Sequence, residues 1–170
     1  MGRETRLYNA VIPLWLLWMF PTLFPWVLPV TLLGNLLIDG AVLFCALLAL
    51  GRRDKGRLMR YLWWRVWWRG FAADAAGVAW LLLALILWEM NVGRRRAFWQ
   101  KWLEGVMGDP FSHPVAFLWT LAAVAIAGVC IYYLDKKPMR AAGLTDREAH
   151  RAALALAIVT APWTFFLPAR

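Results

Sequence analysis

The sequence predicts an all-α, polytopic helical membrane protein. About five transmembrane helices are expected, the first two forming a proline-tipped hairpin, with one or two amphipathic helices at the membrane surface. Three observations predict this class. The 170-residue chain is 62% hydrophobic and holds 13 Trp, whereas a soluble domain of that length is nearer half apolar. It also carries 19 Lys+Arg against 10 Asp+Glu. The charges are segregated from the oil: uncharged or nearly uncharged runs cover Leu7 to Gly51, Gly70 to Trp88, Pro114 to Leu134 and Ala152 to Ala169. A helix of about 20 apolar residues matches a hydrocarbon core about 30 Å thick.

The first run, Leu7 to Leu50, is about twice the length of one crossing. Pro21, Pro25 and Pro29 interrupt it in "MFPTLFPWVLPV", and proline removes a backbone donor and restricts its predecessor. Spans near 9–27 and 29–50, joined by a tight turn, are therefore expected, with a re-entrant first segment as the alternative. Pro29 suits the first turn of the second span. Residues 51–70, "GRRDKGRLMRYLWWRVWWRG", hold seven Arg/Lys and four Trp. Indoles favour the headgroup layer and arginines pair with phosphates. This predicts an interfacial helix near 55–68, with Arg57, Arg60, Trp63, Trp64, Trp67 and Trp68 as a candidate lipid- or partner-binding surface.

The third span is expected near 70–89, where Ala73 and Gly77 form a small-xxx-small pair that permits close helix approach. Arg94, Arg95 and Arg96 precede alternating aromatic and polar residues, which predicts a second interfacial helix near 95–106. A fourth span follows near 114–134, with the small-residue surface "TLAAVAIAG". In "LTDREAH", Thr145 and Glu148 fit a capping box with Leu144 as a staple residue. The last span, near 147–167, opens there, and Pro162 is expected to kink it, with a local donor answering the freed carbonyl.

With the N-terminus cytoplasmic, Arg3, Arg6, the basic residues of 52–69, Lys136, Lys137, Arg140, Arg147 and Arg151 share one side. Arg94, Arg95, Arg96, Lys101 and Arg170 take the other, an asymmetry that obeys the positive-inside rule. Because the basic residues flank spans, the net charge of +9 points to anionic headgroups and excludes nucleic acid. The N-terminal run has no small-x-small cleavage site and is expected to be retained. Small size and short loops suggest a bacterial plasma membrane.

Polar groups within the oil are the candidate site. Asn35 and Asp39 are one helical turn apart on one face, with Asp39 near mid-span. A mid-bilayer Asp costs about 2.5–3.5 kcal/mol on an insertion scale, so it calls for protonation, a water-filled cavity or a partner such as Asn35, Thr120 or Thr160. Asp74 lies about one turn inside the third span, with Arg65 and Arg69 as expected charge partners. Cys45 and Cys130 read as buried small hydrophobes. The pairs Asp146/His150 and Asp109/His113 read as interfacial polar faces, and no metal or cofactor is expected. Asp39-Gly40 matches the opening of the CDP-alcohol phosphotransferase signature, but Leu43 and Phe44 stand where that family has Ala-Arg, and its later acids are missing.

The resulting expectation is a non-enzymatic accessory or interaction subunit that binds membrane proteins or anionic lipids. The alternative is a small oligomeric transporter or channel that uses Asn35, Asp39 and Asp74 for proton or cation coupling.

Overall fold

The computed structural model describes residues 27–90 and 96–168. Among them there is no strand. The helices are α1 (Val27–Ala49), α2 (Lys55–Met90), α3 (Arg96–Met107), α4 (Pro114–Ala141) and α5 (Asp146–Val159), with 3-10 turns at Pro110–Ser112 and Trp163–Phe166. Three of them, α1, α2 and α4, are long and apolar enough to cross a membrane. Nearly all of the span expected near 9–27, and with it most of the proline-tipped turn, lies outside the described residues.

Two expectations need correction. Residues 55–68 and 70–89 are not an interfacial helix followed by a span: they form one uninterrupted helix of 36 residues, about 54 Å long at 1.5 Å per residue. Gly70 does not break it, because its missing side chain is used in packing. A Cβ there would lie 3.2 Å from Asp39 Oδ2. The last span does not run kinked through 147–167 either. Helix α5 ends at Val159, and Pro162 instead caps the Trp163–Phe166 turn. Proline disfavours helical backbone in its predecessor and cannot donate to the carbonyl four residues back. The Trp163 indole supplies that donor, with Nε1 bonding Ile158 O at 2.9 Å.

Helices α1, α2, α4 and α5 close into a ring in which α1 and α4 each pack on both α2 and α5. Helix α3 packs across α2 and α4 at one end. Small residues set the closest approaches. A Cβ on Gly77 would lie 3.0 Å from Ala123 O, and one on Gly128 would lie 3.2 Å from Ala157 O. Ala73, Ala123 and Ala127 are buried as the small-residue surfaces predict. One apolar core joins Leu43, Leu47, Leu62, Ile131, Met139 and Leu156; a second, toward α3, joins Val78, Leu81, Trp102, Val124 and Phe165. Large apolar side chains also face outward, including Leu37, Ile86, Leu118 and Ile158, as lipid-facing surfaces require.

The α1–α2 and α4–α5 turns meet at one end. Arg52 pairs with Asp54 at 3.0 Å and reaches Glu148 at 3.6 Å, while Lys136 and Arg140 approach Asp146. Arg52 holds the Asp54 carboxyl below its ordinary value of 3.8. The capping box is present: Glu148 N donates to Thr145 Oγ1 at 3.3 Å, and Thr145 N donates to Glu148 Oε2 at 2.8 Å.

Candidate functional site

The site begins with how α2 grips α1. Trp63 and Trp67, one turn apart, donate their indole N–H groups to Leu36 O at 2.7 Å and Leu32 O at 3.1 Å, also one turn apart. Gly40 makes room for this, since a Cβ there would lie 2.8 Å from Trp63 Cε2. The Asp39-Gly40 pair is thus a helix-packing feature. Trp63 and Trp67 both bond α1, and of the six predicted surface residues Trp67 is buried. Arg57, Arg60, Trp63, Trp64 and Trp68 are exposed.

That grip carries Asp39 into the ring. It is 5% exposed, rests against Gly70, and has the Thr160 hydroxyl beside it. The Thr160 proton is already engaged, because Oγ1 donates to Leu156 O at 2.9 Å. Asp74 points into the same interior, with Oδ1 buried and without a partner, and it interacts electrostatically with Asp39. Asn35 is half-buried one turn from Asp39.

The expected pairing of Asp74 with Arg65 or Arg69 is not formed. Arg65 lies over the Tyr61 ring at 3.8 Å, and Arg69 Nη1 donates to Arg65 O at 3.1 Å. The cause is the continuity of α2. At about 100° per residue, positions 69 and 74 differ by roughly 140° and positions 65 and 74 by roughly 180°, so neither arginine shares a face with Asp74.

A third acid completes the group. Asp135 on α4 is 0% exposed, and neither carboxyl oxygen has a hydrogen-bond partner. It interacts electrostatically with both Asp39 and Arg69. Its apolar run ends at Leu134 in the sequence, but α4 continues for two more turns to Ala141. The missed signal was the spacing of Ile131, Asp135 and Met139, which puts Asp135 on the buried stripe. Leaving a buried polar group unpaired costs about 1–3 kcal/mol, and Asp74 and Asp135, on two different helices, carry such unpartnered oxygens.

The segment 69–74 of α2 is the hub. Arg69 interacts electrostatically with the α4 acid, Gly70 lies against the α1 acid, and Asp74 follows one turn on. Among the described residues, no group of His, Cys, Asp and Glu is arranged to hold a metal ion. His150 Nδ1 and the Tyr132 hydroxyl are 2.8 Å apart. Cys130 is half-buried, while Cys45 is exposed on the outer face of α1 and so is not the buried hydrophobe expected. No family model, curated protein or solved structure matches this chain.

Proposed function

We propose that the protein is a small membrane transporter or channel in which Asp74, Asp39 and Asp135 pass protons along the interior of the helix ring. The observation that carries this reading is Asp135, wholly buried with both oxygens unpartnered, within electrostatic reach of Asp39. Its electrostatic contact with Arg69 comes without a direct hydrogen bond, whereas a buried carboxyl kept only for packing is expected to end on a donor. Ionisable groups inside a membrane bundle commonly mark proton relays. A proton needs no coordination sphere, which suits three carboxyl groups spread over three helices. Asn35 extends the polar stripe of α1 by one turn.

The test is proton flux into liposomes loaded with a pH-sensitive dye. The parent protein should acidify or alkalinise the lumen when a potential is imposed. Asp39→Asn and Asp135→Asn should each abolish the signal while helicity and thermal stability persist. A parent that gives no flux above empty vesicles, with either sign of potential, overturns the proposal.

A second reading, a non-enzymatic accessory subunit, is favoured by one observation: Arg57, Arg60, Trp64 and Trp68 remain exposed on a single stretch of α2. This pattern suits anionic headgroups or a membrane-protein partner, including a second copy of this chain. Neutralising Arg57 and Arg60 should then release whatever co-purifies. For either reading we propose five crossings, a cytoplasmic N-terminus and a bacterial plasma membrane. Cysteine labels near residues 22 and 57 should report opposite compartments.

A further inference from the structure

The end of the ring where the α1–α2 and α4–α5 turns meet has its acids already engaged. Asp54 and Glu148 are held by Arg52, and Asp146 by Lys136 and Arg140. Arg57 and Arg60 of α2 are exposed and form no ion pair among the described residues. Asp54 acts on Arg57 through space but is bonded to Arg52. The neighbouring indoles divide in the same way. Trp63 and Trp67 spend their N–H groups on α1 carbonyls. Trp64 and Trp68, each 62% exposed, meet no acceptor among the described residues.

These four free groups share one outer face. At about 100° and 1.5 Å per residue, Arg57, Arg60, Trp64 and Trp68 fall within an arc of roughly 80° and climb α2 by roughly 16 Å. The arc is turned away from Gly77, which meets α4, and lies beside the Trp63–Trp67 edge that meets α1. Its order is two guanidinium groups nearest the end of the ring, then two indoles. Ala72, Ala75 and Ala79 continue it, exposed and within about 40° of Trp68. From Trp68 to Ala79 the rise is again roughly 16 Å, close to one leaflet's half of a core about 30 Å thick.

The other helices repeat this order from the same end. Helix α5 exposes Arg147 and Arg151 in its first two turns, then Leu154 and Ile158; α4 exposes Lys137 and Arg140 at its end, with Tyr133 and Val129 deeper. Cations outermost and rings or aliphatic chains within is the layering of a headgroup–acyl boundary. The α2 ladder therefore runs along the axis of a lipid molecule. A second copy of the chain fits it poorly. In a two-fold pair about the membrane normal, arginine would meet arginine, and α2 exposes no acid before Glu89.

Resting on the second reading above, that this face is a binding surface, and naming its occupant, we infer that the outer face of α2 holds one anionic phospholipid. The phosphate sits on Arg57 and Arg60, the glycerol-ester oxygens accept from the Trp64 indole, and a chain lies along Trp68 and the three alanines. A guanidinium presents paired donors that match phosphate oxygens, and an indole N–H can only donate. An acceptor-rich headgroup complements both. It is anionic because two arginines without acids keep a charge that a zwitterionic headgroup does not neutralise. The site is independent of whether the interior acids carry protons.

The experiment is native mass spectrometry of the full chain, stripped of lipid in neutral detergent. Phosphatidylglycerol and phosphatidylcholine of equal chain length are added separately. Phosphatidylglycerol should leave one tight adduct, and phosphatidylcholine should bind about tenfold more weakly. Arg57→Gln with Arg60→Gln should weaken the phosphatidylglycerol adduct by about tenfold or more, as expected for lost charge-assisted hydrogen bonds. Arg147→Gln with Arg151→Gln removes the same charge from α5 and should change it by less than about threefold. Trp64→Phe, at an exposed position, should weaken it by about three- to tenfold through one lost donor. Glycerol phosphate, a headgroup without chains, should not displace the lipid at the same concentration. The inference is overturned if the two double variants weaken binding equally, if glycerol phosphate displaces the lipid, or if phosphatidylcholine binds as tightly. It is equally overturned if neither lipid leaves an adduct. In that case a protein that co-purifies with the parent and is lost from the Arg57/Arg60 variant preserves the accessory-subunit reading, and the lack of one removes both.

Discussion

Replacing Gly40 with alanine tests the α1–α2 grip most directly. The new Cβ would lie 2.8 Å from Trp63 Cε2, inside van der Waals contact, with the indole already held at 2.7 Å from Leu36 O. The indole must swing away and its hydrogen bond is lost. Overpacking of this kind costs about 1–3 kcal/mol, and the lost bond adds about 0.5–1.5 kcal/mol. Against this, alanine in place of glycine in a helix gains up to about 1 kcal/mol. The net expectation is a loss of about 1–3 kcal/mol. Gly34, two turns earlier on α1, has nothing within 4 Å of a built Cβ, so Gly34→Ala should stabilise by about 0.5–1 kcal/mol. Unfolding of both variants in the same detergent, by heat or by added denaturing surfactant, measures the difference. In a Trp63→Ala background the clash is gone, and Gly40→Ala should then behave like Gly34→Ala. The reasoning fails if Gly40→Ala is as stable as Gly34→Ala in the parent, or if its deficit persists unchanged without the indole.

Other perturbations discriminate as sharply. Asp135→Leu should raise thermal stability by about 1–4 kcal/mol, by analogy with replacing buried ionic groups by apolar ones, while abolishing proton flux; a loss of stability would mean that the carboxyl has a structural partner. Gly77→Leu should disrupt the ring, since even a Cβ would lie 2.9 Å from Phe165 Cε2 and 3.0 Å from Ala123 O, and the variant should lose its cooperative melt. Thr145→Ala removes the cap of α5 and should cost about 0.5–2 kcal/mol, read as faster amide exchange in the first turn of that helix. The Asp54 carboxyl is held below its ordinary value of 3.8 by Arg52, so the pair's contribution is present above that pH and disappears as the pH falls through the lowered folded value. Protection of the amides of residues 50–54, corrected for intrinsic exchange, should fall on acidification below about pH 4, and Arg52→Gln should remove this pH dependence.

Local patterns in the chain foretold the elements whose cause is local. The second apolar run, expected near 29–50, is α1 at Val27–Ala49; the aromatic–polar alternation is α3; Thr145 and Glu148 form their capping box. Where the outcome depends on a neighbouring helix, the letters were silent. Gly70 reads as the start of a span, and only the fold shows that a Cβ there would lie 3.2 Å from the Asp39 carboxyl. The tryptophans of 63–68 read as a membrane-surface belt, yet two of them bond backbone carbonyls of α1, a partner that composition cannot name. Of the acids, Asp39 and Asp74 were legible because charge within an apolar run is conspicuous. Asp135 was not, because it sits beside Lys136 and Lys137 and looks like the polar edge of a span. The burial of that edge comes from α4 packing against helices distant in the chain, which no window along it contains.

The unbroken course of α2 has a mechanical consequence. A rod about 54 Å long without a hinge cannot tilt at one end alone. Arg57 and Arg60 near its start and Asp74 beyond its middle therefore move as parts of one lever. A displacement of the end that bears the arginines is therefore carried along the rod to the place where Gly70 meets the Asp39 carboxyl.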